Sequence, residues 1–421
     1  MDRRTYLATG AAIALSGCTE LGGPGESDTD GEPSDDSTES SDDSDGSDSD
    51  DYPELVGTFD DFEDLDEWWE WQDIGFLEAD ASRSFDGSQS ALLTSSTESD
   101  GQVRVRRELD EPIDVRDVAP GLATATDTDQ GVVRIQLQDE DAHYLEYSQQ
   151  IMGDMPLTPN NFGVTRIRGE PDMSEVVVLQ VIRWFGGDAE GRQWIDDFHF
   201  VPKASSGKVM LQFHGGYETH YTEGLSRVSK YEFPATAFVP TDRVREDDRG
   251  ERHHLTTDQL EELADAGWTI GAQPATGQQL DSVDSSRLED VIADPIEWLN
   301  DEGYEDGARF FAYPNSQYTE ESYELVRENY DLAFAGQSEA QGYAGNPHLC
   351  SVVANPGVEE AAEALERTVE WDGITNFAFY QLENENVRAG LEEVLARLDE
   401  YVAAGELDVI TPDEMADEYV Y

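Results

Sequence analysis

The part of this chain from residue 207 to residue 421 alternates short apolar runs with amphipathic helical segments, and this alternation restricts the possible folds more than any other feature. Strands joined through helices cannot pair as hairpins, so they pair in parallel, with the helices packed on the sheet. The pattern therefore predicts an α/β fold, an open sheet or a (β/α) barrel, with its chemistry at the carboxyl ends of the strands. The strand-like runs are 209–214, 235–240, 268–273, 309–313, 332–335, 349–354, 377–381 and 409–410, and the helical segments are 257–266, 286–300, 320–328, 358–369 and 387–404.

Residues 53–203 have a different pattern, in which apolar and polar residues alternate with period two in short runs between turn residues. No segment there has the periodicity of an amphipathic helix, so the region predicts an all-β sandwich, which we interpret as a jelly roll. Segments 62–69, 84–91 and 194–200 resemble the framing segments of carbohydrate-binding and galactose-binding-like jelly rolls. We therefore expect a multidomain protein with a β-sandwich at 53–203 and an α/β barrel at 207–421.

The charge of the chain is strongly one-sided, with 26 basic and 94 acidic residues and a formal net charge of −68 at pH 7. Such a charge causes strong self-repulsion, which multimolar salt screens within about 3 Å. The composition therefore indicates adaptation to high salt, and it argues against a nucleic-acid partner, since phosphate binding needs a basic surface. The two cysteines, Cys18 and Cys350, lie far apart in the chain and allow no disulfide framework. We expect Cys350, in an apolar run, to be a small buried residue.

Residues 1–18 contain the three parts of an export signal: the pair Arg3-Arg4, a short apolar stretch at 8–15, and a small-residue site that ends at Cys18. The paired arginines indicate the twin-arginine route, and the apolar stretch is too short to span a bilayer. Residues 15–18 resemble a lipobox, so the signal resembles that of a haloarchaeal-type lipoprotein anchored through Cys18 on the outer face of the cytoplasmic membrane. A plain signal peptide that ends near a cysteine is the alternative. Residues 19–52 have almost no apolar side chain and predict a disordered acidic linker.

Three segments of the second region stand in the order and spacing of a known family. They are residues 233–239, residues 255–260 leading into 266–271, and residues 310–314. These segments resemble the polysaccharide deacetylase (NodB-like) domain, and the resemblance spans 207–415. It implies a distorted (β/α) barrel that removes acetyl groups from sugars such as N-acetylglucosamine. It also implies a divalent metal, usually zinc, held by one Asp and two His.

This sequence departs from the family at its catalytic positions. His214 stands where the family has its base, and the three metal-ligand positions hold Gly215, Gln273 and Gly277. Two further positions also differ: Ala312 replaces a frequent Arg, and Gln381 replaces a catalytic His near the end of the domain. Glycine has no side-chain donor, and an amide oxygen is a weak zinc ligand compared with imidazole. We therefore expect the family zinc site to be absent and no cofactor to be required. A metal site rebuilt from His214, His220, Glu218 and the pair His253-His254 is the alternative.

Candidate glycan contacts are aromatic and amide residues near the strand ends and in the β-sandwich. Aromatic faces stack on sugar rings and amides form paired hydrogen bonds, although the same residues could equally fill a core. The candidates are Tyr217, Tyr221, Tyr313, Asn315 and Tyr380 in the barrel region and Trp68 and Trp184 in the sandwich. Glu63 with Asp197 offers hard oxygen ligands for a structural calcium ion, and chance proximity of carboxylates in so acidic a chain is the alternative.

Together these features predict a lipid-anchored cell-surface protein that recognises a polysaccharide or other glycan without metal-dependent deacetylation. One alternative is an active carbohydrate deacetylase, a hydrolase of non-peptide C–N bonds, with an atypical site that uses His214 as base. The other is a structural protein of the cell envelope.

Overall fold

The computed structural model describes residues 52–187, 189–246 and 253–421. The predicted export signal, Cys18 and the acidic linker up to residue 51 lie outside the described residues. The strands are β1 Gly57–Asp60, β2 Trp69–Glu70, β3 Phe76–Asp80, β4 Ser90–Thr94, β5 Gln102–Ile113, β6 Val118–Thr126, β7 Gln130–Gln138, β8 Tyr144–Met152, β9 Thr158–Asn161, β10 Gly163–Arg168, β11 Val176–Trp184, β12 Arg192–Pro202, β13 Gly207–His214, β14 Ala235–Val239, β15 Trp268–Ala272, β16 Phe310–Ala312, β17 Leu332–Phe334, β18 Glu339–Gln341, β19 Val353–Ala354, β20 Ile374–Phe379 and β21 Leu407–Val409.

The α-helices are α1 Ser226–Val228, which continues a π-helical turn at His220–Leu225, α2 Thr257–Asp265, α3 Ser285–Asp301, α4 Glu320–Asn329, α5 Val358–Glu370, α6 Glu385–Ala404 and α7 Pro412–Glu418. Short 3-10 turns lie at Trp71–Asp73, Thr97–Ser99, Thr241–Arg243, Leu280–Ser282, Gly307–Arg309 and Pro314–Ser316. None of the helices in the described part of the chain combines the length and the apolar character needed to cross a bilayer.

The first half of the described chain consists of two antiparallel sheets around a shared core. One sheet has the order β3-β4-β12-β6-β9, with β1 paired to β12, and the facing strands have the order β10-β8-β7-β11-β5-β2. Along β7, Val133, Ile135 and Leu137 point into the core and are fully buried, and Phe198 of β12 lies in the same core. The period-two alternation thus places one face of each strand inside, which confirms the strands predicted from it.

In the second half, parallel strands in the order β17-β16-β15-β14-β13-β20 pack against the helices. The five predicted helices are confirmed with ends within two residues, because each is amphipathic and its start is encoded locally. Thr256 caps α2 through a reciprocal pair of bonds with Gln259, and Thr319 caps α4 with Ser322 in the same way. Gly405 ends α6 in the left-handed conformation.

Two details of this half differ from the sequence prediction. The strand predicted at 349–354 is reduced to β19, because neighbouring side chains take its backbone groups: the amide of Ser351 donates to Oε1 of Gln341. Cys350 is buried as predicted, but it forms only an isolated bridge with Phe334.

The short strand β18 was not predicted, and it joins the two halves of the chain. It pairs antiparallel with β10 of the sandwich through Gly163 opposite Gln341, and with β20 through Gln341 opposite Ile374. The facing strands of the sandwich and the parallel strands thereby belong to one sheet, and the described residues form one compact unit.

Candidate functional site

A cleft of about 570 Å³ opens at the carboxyl edge of the parallel strands. Neutral polar and aromatic side chains dominate its lining: Tyr217, Asn315, Gln337, Asn355, Tyr380, Gln381 and Asn384, with Glu383 as the lining carboxylate. A larger groove of about 700 Å³ lies elsewhere, and its lining includes Asp129, Asp154, Asp281, Glu320 and Glu321. We take the smaller cleft as the candidate site, because strand ends gather side chains from separate parts of the chain, as β16, β19 and β20 do here.

The walls of the cleft are held by hydrogen bonds between side chains and backbone groups. The amide of Tyr380 donates to Oδ1 of Asn355 at 2.9 Å, which links the segment after β20 to the segment after β19. Asn315 and Ser316, directly after Pro314, both adopt a φ of 54°, and the Ser316 hydroxyl donates to the carbonyl of Gly336 at 3.3 Å. Burial raises the pKa of Tyr380 to about 12, so its phenol stays neutral.

His214 lies beneath this cleft and does not line it. Its ring is 1 % exposed and contacts the rings of Phe238 and Tyr380 edge-on. Nε2 is 2.8 Å from Oε1 of Gln212, which makes Nε2 the donor, and Nδ1 has no hydrogen-bond partner in the structure. Burial, with a smaller effect from neighbouring His220, lowers the pKa of His214 to about 3, so the imidazole is neutral at physiological pH.

Neighbouring side chains crowd the two glycines that the resemblance places at ligand positions. A Cβ on Gly215 would lie 2.4 Å from Cε2 of Tyr217, and a Cβ on Gly277 would lie 2.8 Å from Cζ of Arg243. Both glycines have positive φ, 99° and 63°, which also disfavours any other residue there. The ring of Tyr217 and the guanidinium of Arg243 therefore occupy the places where the family's ligand side chains would begin.

The side chains at the six family positions do not fit a zinc ion. They comprise one imidazole, the amides of Gln273 and Gln381, the methyl of Ala312 and two glycines, with no carboxylate among them. Gln273 is 2 % exposed and Ala312 is fully buried. Within residues 52–187, 189–246 and 253–421, no group of three His, Cys, Asp or Glu side chains is arranged to hold a metal ion.

The histidines considered for a rebuilt metal site contact protein groups, while Nδ1 of His220 and Nε2 of His254 have no hydrogen-bond partner in the structure. Nε2 of His220 donates to the carbonyl of Tyr380 at 2.9 Å, and burial lowers the pKa of His220 to about 4. The His254 ring stacks on Tyr217 with centroids 5.4 Å apart, and burial, with the charge of Arg243, lowers its pKa to about 4. The carboxylate of Glu218 lies 3.8 Å from the guanidinium of Arg245, and the backbone amide of Glu218 donates to the carbonyl of His253.

Of the predicted glycan contacts in the second half of the chain, Tyr217, Asn315 and Tyr380 meet in the cleft, whereas Tyr221 and Tyr313 do not. Tyr313 is a correction: it is 1 % exposed and packs against Phe311 in the core, because its side chain points inward from the end of β16. Tyr221 lies in the π-helical turn and donates its hydroxyl to Glu262 of α2, away from the cleft.

The two candidate tryptophans of the sandwich have opposite environments. Trp68 is a correction, because it is 4 % exposed, packs on Phe62 and donates Nε1 to Asp60, so its faces cannot stack on a sugar. Trp184, at the end of β11, is 51 % exposed and donates Nε1 to the carbonyl of Asp100. Trp184 therefore remains a candidate.

The proposed calcium ligands already bind protein donors. Glu63 accepts hydrogen bonds from the amide and hydroxyl of Ser88 and from the amide of Gln89, and the Ser88 hydroxyl is the main cause of its lowered pKa. Burial would raise the pKa of Asp197, but hydrogen bonds from His199 and Thr58 lower it overall.

The sequence analysis did not identify seven of the lining residues: Ser316, Gln337, Ala354, Asn355, Glu383, Asn384 and Val387. Asn355 directly follows the end of β19, and the predicted strand 349–354 ends at the same residue, so the carboxyl-edge rule could have found it. Asn384 caps α6 by accepting the amide of Asn386, and a capping Asn before a helical run is a signal that the sequence does contain.

Comparison with known proteins supports the family resemblance for part of this chain. The model of the polysaccharide deacetylase family matches residues 202–332, so this part of the chain is similar to a polysaccharide deacetylase domain. A "putative polysaccharide deacetylase YxkH" of Bacillus subtilis (strain 168) is 27 % identical over 120 residues, which are 28 % of this chain and 41 % of that protein. The match thus spans less than half of the curated relative.

Two solved structures are also similar. The Streptococcus pyogenes deacetylase PplD, in complex with acetate, is 18 % identical, with 44 % of this chain and 69 % of that chain covered and a TM-score of 0.31. A mutant of a CE4 family pseudoenzyme with restored enzymatic activity is 14 % identical, with 52 % of this chain and 70 % of that chain covered and a TM-score of 0.35.

Proposed function

We propose that this protein binds a polysaccharide or other glycan in the cleft at the strand ends and does not perform metal-dependent deacetylation. The observation that carries the proposal is the pairing of a neutral aromatic and amide cleft with ligand positions that hold Gly215, Gln273 and Gly277. A deacetylase needs its metal to activate water and polarise the acetyl carbonyl. Without those donors, the cleft retains recognition but lacks the group that performs the chemistry.

The chemistry of the lining suits a polyhydroxylated ligand. Tyr217 and Tyr380 are half-buried and offer ring faces, while the amides of Gln337, Gln381 and Asn384 are exposed and each can donate and accept. Sugars present apolar faces flanked by hydroxyl groups, and such groups pair with neutral amides without the cost of desolvating a charge. A carbohydrate role is also consistent with the deacetylase domain at residues 202–332.

We also propose that the parallel strands form a distorted (β/α) barrel and that the sandwich is a jelly roll of carbohydrate-binding type. Support for the barrel comes from the bridge between Phe334 and Cys350 and from the pairing of Val353 with Phe377, which lead from β17 back to β20. A ring of pairings of this kind is what closes a sheet.

We place the protein on the outer face of the cytoplasmic membrane of a cell that lives in high salt, anchored by a lipid on Cys18 after twin-arginine export. The net charge of −68 and the signal-like first 18 residues support this placement. Replacing Cys18 with serine is expected to move the protein from the membrane fraction to the medium, and unchanged fractionation would contradict the anchor.

The binding proposal is tested with the purified protein at multimolar salt, by its retention on immobilised glycans that include acetylated chito-oligosaccharides. Gln381→Ala removes an exposed lining amide and is expected to weaken retention, whereas Asn300→Ala removes an exposed amide of α3 and serves as control. Stoichiometric zinc with deacetylation abolished by His214→Ala would replace the proposal with the active-enzyme alternative. A protein retained by no glycan would favour a structural role in the envelope.

A further inference from the structure

We infer that Gln149, in strand β8 of the sandwich, is a positioning residue for the cleft of the deacetylase-type region. The inference rests on the proposed function in one respect, namely that the cleft binds a glycan. It assigns the sandwich a role inside that site, although Gln149 does not line the cleft.

The side-chain amide of Gln149 is 1 % exposed and makes every hydrogen bond available to it. Nε2 donates to the carbonyl of Asn161 at 2.6 Å and to the hydroxyl of Ser351 at 2.7 Å. Oε1 accepts from the amide of Gln150 at 2.8 Å and from the amide of Gln337 at 3.3 Å. Two of these four partners lie in the sandwich and two lie in the second half of the chain.

Both partners in the second half belong to walls of the cleft. Gln337 lines it directly, and Ser351 leads into β19, whose last residue, Ala354, lines it as well. A Cβ on Gly336 would lie 2.5 Å from Oε1 of Gln149, so the turn before Gln337 rests directly against the amide. The carbonyl of Gly336 accepts a hydrogen bond from the hydroxyl of Ser316, which is another lining residue.

One buried amide therefore holds two wall segments of the cleft, at Gln337 and at Ser351, in a single arrangement. A buried amide that loses its partners pays the full cost of desolvation, so these bonds favour one position of each wall over alternatives. Walls ordered before the ligand arrives do not have to be ordered by it, and binding is tighter for that reason. The ladder between β10 and β18 anchors the same region to the sandwich independently.

The test uses Gln149→Met, which keeps the volume of the side chain and removes its hydrogen bonds, in the full chain at multimolar salt. Gln180→Met is the matched control: Gln180 lies in β11 of the same sheet, is 3 % exposed and donates Nε2 to Gln136 at 3.0 Å. Affinity for chitopentaose is measured by calorimetry, and hydrogen exchange is followed in peptides that cover residues 336–337 and 351–355.

We expect Gln149→Met to weaken chitopentaose binding at least tenfold and to accelerate exchange in those two segments by a similar factor. We expect Gln180→Met to lower the melting temperature comparably while leaving the dissociation constant within twofold of wild type. A dissociation constant and exchange rates unchanged in Gln149→Met, or equal effects of both variants on the cleft segments, would overturn the inference.

Failure of the proposed function is distinguishable from failure of this inference. If the wild type does not bind chitopentaose, glycan binding fails for that probe, but the exchange comparison still decides whether Gln149 orders the cleft walls. If Gln149→Met does not fold, Ser351→Ala removes a single partner of the amide, and unchanged exchange at 351–355 in that variant would count against the inference.

Discussion

Replacing Gly215 with a residue that has a side chain is expected to destabilise the protein by more than backbone strain at that position alone would. Gly215 has a φ of 99°, and the strain of a non-glycine residue in such a region costs about 1–3 kcal/mol. Its Cβ would also meet three atoms of the Tyr217 ring, at 2.4, 3.0 and 3.1 Å. That ring is stacked on His254 and cannot move without breaking the contact, so overpacking adds about 1–3 kcal/mol.

The chain provides a matched control for the backbone contribution. Gly267 has a φ of 86°, and a Cβ there would meet no atom within 4 Å. Urea unfolding at constant multimolar salt, followed by fluorescence, is expected to give a loss of about 1–3 kcal/mol for Gly267→Ala and about 2–6 kcal/mol for Gly215→Ala. In a Tyr217→Ala background, the excess cost of Gly215→Ala should disappear. An equal cost of the two glycine substitutions in the wild-type background would refute the reasoning.

The result matters for the family comparison because the resemblance places Gly215 at a metal-ligand position. A restored Asp would start from the same Cβ, so the overlap measured with alanine is a lower limit for the carboxylate. Restoring the family's donors therefore requires Tyr217 to move, in addition to the three substitutions of the ligands themselves.

Three further predictions follow from burial. Between pH 7 and 5.5 the free energy of unfolding should fall by about 2.5 kcal/mol through His214 and His220. Their pKa values of about 3 and 4 keep both imidazoles neutral in the folded protein, whereas unfolded imidazoles bind protons below about pH 6.5. Urea titrations across this pH range check the prediction, and a free energy of unfolding that does not change with pH would contradict it. Trp68→Ala should cost about 3–5 kcal/mol and Trp184→Ala less than about 1 kcal/mol, since only the first is buried; similar midpoints in urea would argue against the assignment. Burial also raises the pKa of the Cys350 thiol, so a disulfide reagent should label it only at the rate of unfolding, in a chain whose other cysteine is replaced by serine; rapid labelling of the folded protein would show that the thiol is accessible.

The secondary structure of this protein was largely readable from local sequence. The helix α2 begins where Thr256 and Gln259 cap each other, and α6 ends at Gly405, so both signals lie within a few residues of the boundary they set. The alternation of apolar and polar residues along β7 indicates which side chains face inward, and it does so without information about the partner sheet. The similarity to polysaccharide deacetylases was likewise recognisable from short segments whose order and spacing are properties of the chain.

The candidate site was readable only in part. Tyr313 and Tyr380 both follow the ends of parallel strands and look equivalent in sequence, yet Tyr313 lies in the core and Tyr380 in the cleft. The same holds for Trp68 and Trp184, of which only the second is exposed. Local sequence patterns indicate that an aromatic residue follows a strand. Whether the ring of that residue contacts protein or solvent depends on how distant segments of the chain pack around the ring.

The sequence by itself thus determined which segments are strands and helices, which region resembles a deacetylase, and which side-chain donors stand at its family positions. These properties depend on residue type and on neighbours within a few positions. Only the tertiary structure decided that Tyr217 fills the space beside Gly215, that the three-residue strand β18 joins the two halves, and that Gln149 supports the cleft. Those contacts join residues from separate parts of the fold, and their energies come from close packing and from buried hydrogen bonds that form only when the whole chain is folded.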